Sequence, residues 1–185
     1  MWRRASTLLA LGGCAQIFGL EDTSRRAPDA RPVDAPVIVD APIDAPACVG
    51  GDNRAVDPAT GACYVFYAGP MTRNAARTVC QALGPGARLA SVQSAAESTL
   101  ITSLVGASVA FIGGSDELVE TKFVWEDGSA VQLTRWNTGE PNNGLGMFEE
   151  DCIVVVGSLG GLWDDRPCAP GPVGTGAYAF VCERD

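Results

Sequence analysis

The 185-residue chain is predicted to fold as an α+β domain carried behind an export signal and a spacer. Three observations carry that prediction. Two stretches with helical apolar spacing lie between residues 72 and 106, runs of branched and aromatic residues separated by turn residues dominate the remainder, and six cysteines are left once Cys14 is set aside. Helices gathered early and strands gathered late are segregated rather than alternating, which is the α+β pattern. With 46% hydrophobic residues the chain has enough apolar side chain for one core.

The first element is "MWRRASTLLALGGC". Arg3 and Arg4 precede a short apolar run from Ala5 to Leu11, and small residues lead to Cys14, the order of a secretion signal too short to span a bilayer. Leu11-Gly12-Gly13-Cys14 resembles the lipobox of bacterial lipoproteins, so residues 1–14 are expected to end at a lipidated Cys14. An ordinary signal peptide with an incidental cysteine is the alternative. Ala15 is not the aspartate that retains some bacterial lipoproteins at the inner membrane, so the expected location is the outer membrane or cell surface, with membrane contact through the lipid anchor only. Residues 15–46 are expected to be a disordered tether. From Thr23 to Pro46 the motif VDAP occurs twice and IDAP once, with no apolar period, which predicts an extended spacer reaching roughly 70 Å at about 3.1 Å per residue.

The globular domain is expected over residues 47–185. "ACYVFYAG" reads as a strand, and "MTRNAARTVCQALGPG" as a helix with Thr72 at its N-cap, Ala76, Val79, Cys80 and Leu83 on one face, and Gly84-Pro85 as the stop. "ARLASV" reads as a short strand. Ser94 and Glu97 are spaced as a capping box for a second helix that covers Leu100, Ile101, Leu104 and Val105 and ends at Gly106. "VAFIGG", "KFVWEDGS", "DCIVVVG", "GLWDD" and "YAFVCE" follow as short β-like runs. Trp125, Trp136, Phe111 and Phe180 are expected in the core, as aromatics in such runs usually are.

Charge and cysteine usage narrow the function. A formal charge of -9 with only 13 basic residues leaves no cationic footprint for nucleic acid. The six remaining cysteines suit three disulfides in an exported chain; no two of them lie within four residues of each other and the chain has no histidine, which speaks against a zinc finger. Without histidine a Ser-His or Cys-His pair is impossible, and no carboxyl is isolated from its neighbours as a protonated acid for glycoside hydrolysis, so no enzyme is expected. Eleven of the sixteen acids after residue 46 fall between 116 and 165. They share glycine-rich loops with Asn137, Asn142 and Asn143, and mixed carboxylate and amide oxygens are what a hard cation such as calcium takes.

Taken in order, "CYVFYAGPMTRNAARTVCQALGPGARLASV", "FIGG", "FVWEDGS", "EPNN", "EEDC", "GLWDDRPC" and "YAFVCE" resemble a C-type lectin-like domain of the long form, from about Cys48 to Glu183. The resemblance implies two helices, small antiparallel sheets and a long calcium-binding loop region, with disulfides Cys48–Cys63, Cys80–Cys182 and Cys152–Cys168. It also implies a principal Ca2+ site of Glu140, Asn142, Glu150, Asp164 and Asp165, with a cis peptide bond at Pro141, and an auxiliary site of Asp116, Glu120, Asn143 and Asp151. Glutamate followed by asparagine in this motif implies that the same principal residues bind mannose-type diols, as on mannose, glucose, N-acetylglucosamine and fucose.

Two departures from the family pattern stand out. Asp164 occupies the place of an asparagine, and an ionised aspartate cannot donate a hydrogen bond to a sugar hydroxyl. The stretch from Asn142 to Glu150 is about two residues longer than in familiar mannose binders, which lets Glu149 compete for a ligand role. The expected function is calcium-dependent binding of mannose, glucose or fucose-type glycans at the cell surface. The alternative is a lectin-like domain for a protein or other non-sugar ligand, with calcium structural or absent.

Overall fold

A computed structural model of the chain describes residues 47–171 and 176–185. The expected signal with Cys14 and the expected tether lie outside the described residues. Nine elements are named here: β1 (Asn53–Val56), β2 (Cys63–Thr72), α1 (Arg73–Gln81), β3 (Arg88–Leu89), α2 (Ala95–Val105), β4 (Val109–Ser115), β5 (Cys152–Val156), β6 (Leu162–Arg166) and β7 (Ala177–Arg184). Their local causes match the sequence. The Thr72 side chain accepts from Ala75 N at the start of α1. Ser94 Oγ accepts from Glu97 N at 3.1 Å while Glu97 Oε2 accepts from Ser94 N at 3.0 Å, a complete capping box for α2. Gly106, at φ 62, stops α2 as expected, because residues with a Cβ adopt that conformation at a cost. Helix α1 ends at Gln81, three residues before the Gly84-Pro85 stop.

The strands join in one sheet of order β1-β2-β7-β4-β5-β6, with β3 on β7. Antiparallel pairs dominate, but β4 and β7 run parallel through Ala110–Ala179 and Phe111–Phe180. "KFVWEDGS" forms no strand; it makes only isolated bridges, Ser115–Val124 and Val124–Ala130. Its aromatic side chains follow an alternating pattern, yet the turn at Asp127-Gly128 leaves too little chain on either side for a ladder.

Two-residue alternation divides the core into two layers. Tyr64, Phe66, Ala110, Ile112, Ile153, Val155, Trp163, Ala179 and Val181 pack with Ile101, Leu104 and Val105 of α2. Their neighbours Cys63, Val65, Phe111, Cys152, Val154, Phe180 and Cys182 pack with Ala76 and Cys80 of α1. Disulfides Cys48–Cys63, Cys80–Cys182 and Cys152–Cys168 form as the resemblance implies. The last ties the β5 and β6 end of the sheet to the chain that follows β6, beside the acidic loops. Phe111, Phe180 and Trp125 are buried as expected, while Trp136 is only half-buried. Among the described residues, no helix is long and apolar enough to cross a membrane.

Candidate functional site

The site forms where the long loop between β4 and β5 returns to β6. Trp136 bridges to Trp163 in parallel, Asn137 N donates to Trp163 O at 2.8 Å, and Trp163 N donates to Arg135 O at 2.7 Å. Trp163 is fully buried, edge-on to Trp125 at 5.9 Å and to Trp136 at 5.8 Å between ring centres. This aromatic stack anchors "EPNN" over Asp164 and Asp165. The Glu140–Pro141 peptide bond is cis.

One oxygen from each of Glu140, Asp164 and Asp165 lies within 4.8 Å of the other two. Asp164 and Asp165 are buried and Glu140 is half-buried. The Glu140 carboxyl is pushed up to about 7, first by desolvation and then by the charges of Asp164 and Asp165. Burial raises Asp164 too, against the pull of Arg166, whose Nη2 bonds Asp164 Oδ2.

The remaining ligand candidates are held by a run of backbone amides. Asn143, Gly144 and Leu145 all have positive φ, at 45°, 56° and 58°, and the N–H groups of residues 142 to 145 are directed at side-chain oxygens of this loop and of β6. Asn142 N donates to both oxygens of Asp165 at 3.1 and 3.0 Å, and Asn143 N to Asp165 Oδ2 at 2.7 Å. Gly144 N donates to Glu150 Oε2 at 2.8 Å, and Leu145 N to Asn142 Oδ1 at 3.0 Å. A Cβ at residue 144 would meet the Phe148 ring at 2.5 Å, so glycine is needed there for space as well as conformation. Asn142 Nδ2 donates to Glu140 Oε2. Glu150 is buried and its carboxyl is raised by desolvation, opposed by the Gly144 bond. It lines the same loop but is not part of the three-carboxylate group.

The auxiliary residues divide differently from the expectation. Glu120, Asp151 and Glu149 form a second group of oxygens within 4.8 Å of one another. Asn143 Nδ2 links Glu120 Oε1 at 3.1 Å to Glu149 Oε2 at 3.2 Å. Asn143 Oδ1 accepts from Glu150 N at 2.7 Å. Asp116 stands at the base: its N–H donates to Asp151 O, its Oδ2 accepts from Thr121 N at 2.8 Å, and its Oδ1 is buried without a partner. Desolvation pushes Asp116 up to about 6, with Glu120 and Asp151 adding to the rise. Desolvation also raises Asp151, followed by Glu149, Glu117 and Glu120.

The donor set fits a hard divalent cation. All candidates offer oxygen, the close carboxylates repel one another, and the orphaned Asp116 oxygen is an acceptor lacking a donor. Three features lay outside the sequence reading. Arg166 shares a face of β6 with Asp164, a two-residue spacing visible in "WDDR". Glu149 joins the second group rather than replacing Glu150, because Asn143 draws it there. An apolar cavity beside Pro141 is assembled from separate loop segments and has no local signature.

Comparison with known proteins accords with this geometry. The model of the Lectin C-type domain family matches residues 69–184. Lectin BRA-3 of Megabalanus rosa is 36% identical over 109 residues, 58% of this chain and 65% of that protein. The low affinity immunoglobulin epsilon Fc receptor of Mus musculus is 38% identical over 124 residues, 66% of this chain and 34% of the receptor. The chain thus spans less than two thirds of either relative. The crystal structure of the cow C-type carbohydrate-recognition domain of CD23, obtained in the presence of GlcNAc2Man3 oligosaccharide, superposes with a TM-score of 0.58 at 29% identity, covering 71% of this chain and 97% of that one. The family match spans both helices, the capped loops and the acid-bearing strand β6, and the chain belongs to the C-type lectin domain family.

Proposed function

We propose that the domain is a calcium-dependent carbohydrate-binding module for mannose-type diols, displayed at the cell surface on the tether of residues 15–46 and a lipid anchor at Cys14. One observation carries the reading: oxygens of Glu140, Asp164 and Asp165 from two distant segments converge within 4.8 Å, under the cis Glu140–Pro141 bond. Glu140, Asn142, Glu150, Asp164 and Asp165 would hold the ion. Calcium coordinates six to eight oxygens, and positions left open by the protein accept vicinal hydroxyls in place of water. Glu140 accepts a hydrogen bond from one hydroxyl, and the Asn142 amide donates to the other once turned from its present partner. Asp116, Glu120, Glu149 and Asp151, with Asn143 linking two of them, are proposed to hold an auxiliary ion that stiffens the loop. The relatives are named as a lectin and a receptor, which supports a binding module rather than an enzyme.

A second reading rests on the Asp164–Arg166 ion pair. With its carboxylate already engaged and unable to donate, Asp164 favours a lectin-like domain for a protein or other non-sugar ligand, as the name of the murine Fc receptor indicates for that relative. A glycan array probed in calcium and in chelator separates the two. The sugar reading expects mannose, glucose, N-acetylglucosamine or fucose glycans to be retained in calcium only and lost in Asn142→Asp. Asp164→Asn restores a donor and should tighten binding roughly two- to tenfold, the worth of one neutral hydrogen bond. If no glycan is retained by the unmodified domain or by Asp164→Asn, the second reading stands.

A further inference from the structure

A cavity of about 470 Å³ opens beside the candidate site, walled by Phe123, Val131, Trp136 and Pro141, with Lys122 and Thr134 at its exposed rim. Its size lies within the range of about 300 to 1,000 Å³ of small-molecule sites. The Phe123 and Trp136 rings pack at 4.9 Å and both stay half-buried, so hydrocarbon faces remain open on a folded surface. Acids crowd residues 116–165, yet none lines this cavity. Lys122, the chain's only lysine, contributes an apolar stem while its ammonium keeps to water.

The cavity borders the site at Pro141, which lines the cavity and stands between Glu140 and Asn142. A ligand held by those two residues sits next to the cavity, with the Trp136 wall on the Pro141 side. We propose that this cavity receives an apolar aglycone, an alkyl or aryl group attached to the sugar, and that the domain prefers amphipathic glycosides to free sugars. The inference rests on the sugar reading above for the orientation of the ligand. A second sugar ring suits the cavity less well, because the walls offer its hydroxyls few polar partners and unpaired polar groups are costly. Burial of hydrocarbon against Phe123, Val131 and Trp136 needs no such partners and is favourable in proportion to area.

The test is calorimetric titration of the tethered domain, in calcium, with methyl α-mannoside and hexyl α-mannoside. Hexyl mannoside is expected to bind at least tenfold tighter, which equals about 1.4 kcal/mol and corresponds to roughly two buried methylenes. Ala130→Phe and Thr134→Phe add bulk at exposed lining positions without removing packing. Whichever of them folds should lose the hexyl advantage while methyl mannoside affinity stays unchanged. Equal affinity for the two glycosides, or an advantage that survives both substitutions, overturns the cavity and leaves the sugar reading standing. Hexyl binding without methyl binding, abolished by the fillers, supports the cavity and removes the sugar reading. Binding of neither glycoside overturns both.

Discussion

Saturation with calcium should raise the unfolding midpoint by about 9 °C, and Asp165→Asn should abolish that rise. A ligand present at a hundred times its dissociation constant stabilises the folded state by about 2.7 kcal/mol. Unfolding entropy near the midpoint is about 2.1 cal/mol/K per residue. Over the span from residue 47 to 185 this gives about 0.29 kcal/mol/K, hence the 9 °C. Asp165 is the discriminating position, since it is 1% exposed and belongs to the three-carboxylate group. Asparagine keeps an oxygen for the Asn142 and Asn143 amides but removes the charge. In chelator the variant should unfold within about 3 °C of the unmodified domain, reflecting the exchange of charged for neutral hydrogen bonds, a loss of about 1 kcal/mol. The assay is differential scanning calorimetry across a calcium series, with the dissociation constant taken from the same titration. A midpoint unmoved up to ~100 mM calcium, a hundred times the constant of the weakest extracellular sites, refutes the reasoning, as does an equal rise in Asp165→Asn.

Two further outcomes are expected. Glu140 and Glu183 are both raised from 4.5 to about 7, by desolvation first in each case, so both hold a proton more tightly in the folded chain than in the unfolded one. Their contribution to stability is fully present below pH 4.5 and is lost as pH rises through 7; denaturant titrations of the calcium-free domain should show stability falling over that interval, and a calcium-free profile rising there would contradict it. Ser94→Ala removes the α2 capping box and should cost about 1 kcal/mol, a drop of about 3 °C that calcium does not restore, measured by circular dichroism.

Much of the fold was legible locally. The capping box at Ser94 and Glu97, the Thr72 cap and the Gly106 stop depend on neighbours within one or two helical turns, so spacing alone reports them. "DCIVVVG" and "YAFVCE" were legible as strands, whereas the division of their residues between two core layers came from packing on both faces of the sheet. "KFVWEDGS" misled because the turn closed by Gly128 N on Trp125 O interrupts it, leaving only isolated bridges at Val124. At the site, the donor residues were readable and their grouping was not. Glu149 joined Glu120 and Asp151 through Asn143, and Arg166 took Asp164, because those partners meet only when the loop closes on β6.

Sequence by itself determined the chemistry on offer: oxygen donors without histidine, three cysteine pairs' worth of thiols, and two capped helices. Tertiary structure decided which oxygens face one another, since the left-handed run that begins at Asn143 aims the Asn143 amide at Asp165, 22 residues away, and the Gly144 amide at Glu150, 6 residues away. It also decided that Trp136 keeps one face open beside Pro141. The physical reason is common to both: residue type sets what a side chain can bond, whereas the direction it points depends on contacts made by segments that no local period connects.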